Sequence, residues 1–295
     1  MPLVRLSDHV FVVPGRTNVG VIVFGNECVI IDTGIDEDSG RRVLNSIREL
    51  NVRVRAVVNT HHHADHIGGD ALIVRRTNAL VYASPEDGPF IERPLLEPLY
   101  LYGAFPPRVL RGKFLEAEGV SVRDVGELRG EVGFDVVPLP GHTLGMVGIA
   151  YEGVLFSADA FFPVDVIRKY GVPYHLDVRG ALDSLGRLRG LVGGYVHVVP
   201  AHGGVVSPSE AVSIIDENVR VITRLRDVVL SHLSSGSVGL DDLVVRVLGD
   251  FGVDSLPNYF LNRSALLSYV GWLADEGVVE LGFVGGRPVV SRVSR

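Results

Sequence analysis

The run Thr60-His61-His62-His63-Ala64-Asp65-His66 constrains this chain more than any other stretch. Four imidazoles and a carboxylate sit in six consecutive positions, directly after the apolar Val57-Val58 and just before Gly68-Gly69. Crowding ionisable groups in this way carries a desolvation and repulsion cost that a bound cation offsets. Imidazole and carboxylate are the donors that borderline divalent ions such as zinc prefer. On a tight loop, His61, His63, Asp65 and His66 form two pairs of donors that diverge toward two adjacent ions. A polar cluster at the end of a strand-like run marks a site rather than a solvated loop.

Three further segments offer partners. Gly141-His142-Thr143 follows Val136-Val137-Pro138-Leu139-Pro140, and Ser157-Ala158-Asp159 follows Val154-Leu155-Phe156. Ala201-His202-Gly203 follows Val196-His197-Val198-Val199-Pro200. Each places one donor at the end of an apolar run, among small residues that allow close approach. Singly each reads as an ordinary turn residue; with the His-rich loop they form a specific set.

That set resembles the metallo-beta-lactamase superfamily. The resemblance implies that His61, His63 and His142 hold one metal, that Asp65, His66 and His202 hold the other, and that Asp159 bridges them. All seven positions are filled. The implied cofactors are two zinc ions, with iron or manganese as alternatives. Asp32-Thr33-Gly34, after Val29-Ile30-Ile31, matches the Asp-Thr-Gly turn of the same family. There Asp32 supports the ligand loop from behind; without the resemblance it reads as a turn aspartate. His62 lies between ligands, and alternation points it away from them into packing. Cys28 reads as a core residue.

The implied chemistry is metal-assisted hydrolysis, with Asp65 and Asp159 as the catalytic carboxylates and a metal-bridging hydroxide as nucleophile. The expected substrate is a small ester, thioester or phosphoester. Two alternatives on the same fold are an endoribonuclease or phosphodiesterase, and a mononuclear iron persulfide dioxygenase that needs fewer of the ligands.

The resemblance covers residues 3–207 and implies a four-layer αββα sandwich. The pattern itself gives strands at 9–13, 19–24 and 29–31, a capped helix from Asp36 to Leu50, and a helix from Asp70 to Thr77. Strands in two blocks, each followed by helices, suit two central sheets with helices outside. The pattern changes near Ser207, so two units are expected, 1–207 and 208–295. Ser207 and Glu210 form a capping box at the head of a long helix. Two more helices follow, the second from Asn262 to Glu276, and then a hairpin turning at Gly285-Gly286. Helices followed by a hairpin resemble a winged helix.

Two segments could shape a pocket. The insert Leu95–Pro107 is either a packed helical excursion or an aromatic lid beside the metals, carrying Tyr102 and Phe105. Phe161-Phe162-Pro163, continuing to Lys169-Tyr170 and Tyr174-His175, is the other wall. Phe162, Lys169, Tyr170 and His175 there read either as substrate contacts or as ordinary surface residues.

Charge bears on partners. The chain carries 28 basic and 35 acidic residues, a formal net of −7. Residues 208–295 hold eight arginines, no lysine and eleven acidic residues, a net of −3. A nucleic-acid reader presents a basic face, so a small-molecule substrate is favoured over nucleic acid. The C-terminal unit is expected to cover the pocket or to form a homodimer contact. No apolar run approaches the ~18 residues of a membrane span. The N-terminus lacks a secretory pattern, and the single cysteine leaves no intrachain disulfide, so a cytoplasmic enzyme is expected.

Overall fold

The computed structural model describes residues 3–170 and 172–293, the side chains of 168–170 excepted. Its first sheet runs in the order β1 (Val4–Arg5), β2 (Val10–Val13), β3 (Val19–Phe24), β4 (Glu27–Ile31), β5 (Arg53–Val58), β6 (Leu80–Ala83) and β7 (Val122–Asp124). Strands β1 to β4 pair antiparallel, and β4 to β7 pair parallel. The second sheet comprises β8 (Asp135–Pro138), β9 (Val147–Tyr151), β10 (Val154–Ala158) and β11 (His197–Pro200), in the order β11-β10-β9-β8. Strands β10 and β11 are parallel, and the other pairs are antiparallel.

Period-two alternation sorts each strand between two faces. Val10, Ile22, Val29, Ile31, Ala56 and Val58 turn inward and meet Val147, Ile149 and Phe156 of the second sheet. Val21, Cys28, Ile30 and Val57 turn outward against Val43 and Ile47 of helix Glu37–Ile47 and Ile73 of helix Asp70–Thr77. Cys28 is therefore core, and burial pushes its thiol up to about 12, far from nucleophilic use. The sheets approach closely at Gly20, where a Cβ would lie 2.6 Å from the Phe156 ring. Helices outside both sheets complete the expected αββα sandwich.

The C-terminal region begins with helix Pro208–Ser231, headed by the Ser207–Glu210 capping box. Then come β12 (Val238–Gly239), helices Leu240–Asp250 and Leu256–Asp275, and the hairpin β13 (Val279–Val284) and β14 (Arg287–Arg292). The second of those helices begins six residues before the position expected from sequence, because Ser255-Leu256-Pro257 supplies an N-terminal signal with proline in the first turn. The small sheet runs β12-β14-β13, and Gly285 and Gly286 take φ of 58° and 80° at its turn. This is the winged-helix order of elements. The core does not break at residue 207: Leu155 and Val198 of the second sheet share one buried cluster with Leu225, Leu243 and Leu273.

Candidate metal centre

Parallel pairing places the candidate donors together. The carboxyl ends of β4, β5 and β6 share one edge of the first sheet, as those of β10 and β11 share one edge of the second. Asp32 follows β4, the His-rich loop follows β5, Asp159 follows β10, and His202 follows β11. His142 sits in the turn between β8 and β9. Ligand sites in α/β sheets gather at such carboxyl ends. Asp32 and Ala158 adopt left-handed backbone, with φ of 59° and 51°. An alanine in that region is strained, and such strain persists where the surroundings fix a site.

The donor atoms fall into two groups joined by one carboxylate. Nδ1 of His63 lies 3.2 Å from Nε2 of His61 and 2.8 Å from Nε2 of His142. Oδ2 of Asp65 lies 3.9 Å from Nε2 of His66 and 3.5 Å from Nε2 of His202. Between them, Oδ2 of Asp159 is 3.4 Å from His142, 3.6 Å from His66 and 4.0 Å from His61, while its Oδ1 is 3.5 Å from His202. His61, His63 and His142 form one candidate metal cluster, and Asp65, His66 and His202 another.

The opposite ring nitrogens are tied down. His66 donates from Nδ1 to Asp32 Oδ2 at 2.8 Å, His142 to the Tyr174 carbonyl at 2.8 Å, and His202 to the Arg16 carbonyl at 2.6 Å. The Thr60 hydroxyl donates to Asp32 Oδ2 and accepts from His61 Nδ1 at 3.1 Å. In its neutral form each of these rings is thereby set in the tautomer that leaves Nε2 bare toward the centre. His63 is reversed: its Nδ1 faces inward and its Nε2 looks toward Glu97 Oε1, 3.7 Å away.

This donor set fits a pair of cations. Nε2 of His66 and Oδ1 of Asp159 are buried without a hydrogen-bond partner. Two imidazole nitrogens, from His61 and His142, converge on the His63 Nδ1 and cannot both be paired through one proton. Burial, then neighbouring imidazoles, holds His61 and His63 well below the usual histidine range. His66 goes the other way: burial opposes its charge, but Asp32, Asp65 and Asp159 raise it well above. His202 is likewise opposed by burial and raised to about 9 by Asp159. Metal binding at the Asp65, His66 and His202 group would release protons that these carboxylates favour on the two rings.

The other sequence-derived residues divide. Phe162 lines the cavity that opens on the cluster, with its ring 5.6 Å from His142 and 6.2 Å from His202. Tyr102 and Phe105 do not line it. Helix Leu96–Tyr102 buries Glu97, Pro98 and Leu101, so the aromatic end faces away. Tyr102 instead packs on Phe260 at 5.2 Å, and Phe105 is 68% exposed under the Arg111 guanidinium. Of the two readings of the insert, the packed excursion is the one present. His175 does not line the cavity either; it is buried behind His142, with neither ring nitrogen partnered. Lys169 and Tyr170 fall outside the described side chains.

Sequence reasoning missed several supports. Glu97 lines the cavity as a buried carboxyl, which burial followed by Asp65 and Asp87 raises well above its usual range. Asp87 holds His62 and accepts from the Thr143 hydroxyl at 2.9 Å, linking the His-rich loop to the His142 turn. His62 also stacks on Phe90, as packing rather than ligation. Asn218, inside the long C-terminal helix, donates to the Phe162 carbonyl at 2.8 Å and accepts from its N–H at 3.0 Å. A polar asparagine on the apolar stripe of that helix was the only signal for this last contact.

A sequence profile of the metallo-beta-lactamase superfamily matches residues 12–202. The chain belongs to that superfamily. A hydroxyacylglutathione hydrolase of Photobacterium profundum is 32% identical over 149 residues, 50% of this chain and 48% of that protein. One from Crocosphaera subtropica is 30% identical over 199 residues, 64% of this chain and 62% of that protein. The chain thus spans about half the length of the curated relatives it matches. Among solved structures, a metallo-beta-lactamase family protein from Thermus thermophilus has a TM-score of 0.68 at 20% identity, over 97% of this chain and 98% of that one. A beta-lactamase domain protein from Burkholderia ambifaria gives 0.71 at 16%, over 99% and 95%. Likeness at that identity shows the fold.

Proposed function

We propose that this chain is a binuclear metal-dependent hydrolase of a small ester, thioester or phosphoester. The observation that carries the reading is Asp159, whose two oxygens reach both donor groups beside a cavity large enough for a small molecule. The relatives named hydroxyacylglutathione hydrolase favour a thioester within that range. Two divalent ions held by His61, His63 and His142 and by Asp65, His66 and His202 would supply Lewis acidity and a water that ionises near neutral pH.

The chain's own residues supply the rest. Asp32, Thr60, the Tyr174 carbonyl and the Arg16 carbonyl fix ring orientation, so the ligand nitrogens are preorganised. Asp65 is the donor most open to solvent, with its side chain 36% exposed, and it accepts from the Thr17 hydroxyl at 3.5 Å. That position lets it orient, or take a proton from, an attacking water. Phe162 and the buried Glu97 wall the reacting volume and restrict water entry.

The test is metal content per chain after purification without added metal, followed by a panel of thioester, lactone, phosphodiester and RNA substrates. Two zinc ions and turnover of an ester or thioester support the reading. One iron without hydrolysis overturns it in favour of sulfur oxidation, and turnover of RNA alone overturns the substrate class.

A further inference from the structure

The cavity beside the metal centre encloses about 690 Å³, within the range of small-molecule sites. Part of its wall comes from the C-terminal region, through the loop after helix Leu240–Asp250 and the first turns of helix Leu256–Asp275. That wall contributes Phe251 and Leu261, and the same cavity is lined by Ile35, Val43 and the buried Leu115 and Ile167. The polar groups it adds are Asp254, Asn258 and Asn262, with no lysine or arginine.

A substrate with a polar, anionic carrier would need cations at this wall. Among the described side chains, the cations at the cavity are Arg16 and Arg42, both exposed, and Arg42 already donates to the Ser39 hydroxyl at 2.8 Å. Asp165 and Asp254 offset them. Among the described side chains, these charges balance, whereas the apolar walls reward removing hydrocarbon from water.

We infer that the substrate carries an apolar acyl chain, which occupies the space lined by Ile35, Val43, Leu115, Phe251 and Leu261 while its carbonyl meets the metal centre. The inference rests on the hydrolase reading and narrows its substrate class.

The experiment uses the full zinc-loaded chain and straight-chain carboxylates, which are the acyl products and need no turnover to bind. Isothermal titration with butanoate, hexanoate and octanoate gives the dependence on chain length. A methylene fully removed from water is worth about fourfold in affinity. Octanoate is expected to bind at least tenfold more tightly than butanoate, and Leu261→Asn to reduce that ratio by at least threefold. Equal affinities along the series overturn the inference, as does a ratio untouched by both Leu261→Asn and Phe251→Ala. Acyl thioesters of the same lengths are assayed in parallel. Hydrolysis with a flat length dependence refutes the chain while sparing the hydrolase. Steep binding with no hydrolysis of any length refutes the thioester form of the hydrolase reading and leaves an apolar acyl site.

Discussion

Replacing Asp32 with asparagine changes one atom and should separate the two halves of the metal centre. Asp32 Oδ1 accepts the Thr60 N–H at 2.8 Å, and its Oδ2 accepts both the Thr60 hydroxyl and His66 Nδ1–H at 2.8 Å. Asparagine retains one acceptor oxygen and presents N–H at the other position. If that N–H faces His66, the ring must move its proton to Nε2, the atom needed by the metal. If the amide turns over, the N–H meets the Thr60 N–H instead. Either arrangement leaves a buried donor conflict of about 1–3 kcal/mol, in line with the ~10- to 100-fold loss of metal affinity typical when an outer partner is removed. The backbone is undisturbed, since asparagine tolerates the φ of 59° at this position. Zinc is titrated against a competing chelator in both proteins. In the proposed binuclear site, the equivalent assigned to His61, His63 and His142 should stay within about threefold of wild type. The other, assigned to Asp65, His66 and His202, should weaken by about 10- to 100-fold. If both equivalents match wild type, or both weaken alike, the selective support of His66 by Asp32 is refuted.

His175 gives a pH test. Burial lowers it from 6.5 to about 3, so the folded protein excludes a proton that the unfolded chain accepts. Its contribution is complete above about pH 6.5 and is lost as pH falls toward 3, by about 2–3 kcal/mol between pH 6 and pH 4; His175→Leu should flatten the acid limb of denaturant-derived stability by that amount, and an unchanged limb rejects the assignment. Gly68→Ala would drive a Cβ to 2.2 Å from the Ile35 carbonyl group and should cost more than about 3 kcal/mol in chemical denaturation; a cost below about 1 kcal/mol would show that the turn yields. Ser207→Ala removes the cap of helix Pro208–Ser231 and should lower stability by about 1 kcal/mol without altering metal content. Phe105→Ala, at a side chain 68% exposed and off the cavity, should leave KM and kcat unchanged; a raised KM would restore the lid reading.

The parts of the fold that were legible early are those governed by short-range rules. The continuous apolar runs at 19–24 and 29–31 report two-sided burial directly, and Ser207 with Glu210 reports a cap that four residues can form unaided. The substrate wall was not legible in the same way. Tyr102 and Phe105 looked like pocket residues by composition, but the face a helix buries depends on its partners, and here those partners take Glu97, Pro98 and Leu101. Nothing within its own segment distinguishes Glu97 from a solvated acid.

The sequence by itself determined the chemistry available to this protein: a strand-end loop with His61, His63, Asp65 and His66, matched by His142, Asp159 and His202 at three later strand ends, has few uses other than holding cations. Only the tertiary structure decided which nitrogen each ring presents, that Asp159 reaches both groups, and that the C-terminal region closes the cavity with Phe251 and Leu261. The physical reason is range. A ligand's identity is a property of one residue, whereas tautomers, bridging and cavity walls depend on atoms such as Asp32, the Arg16 carbonyl and Leu261, which the fold brings to the site from 34 to more than 180 residues away.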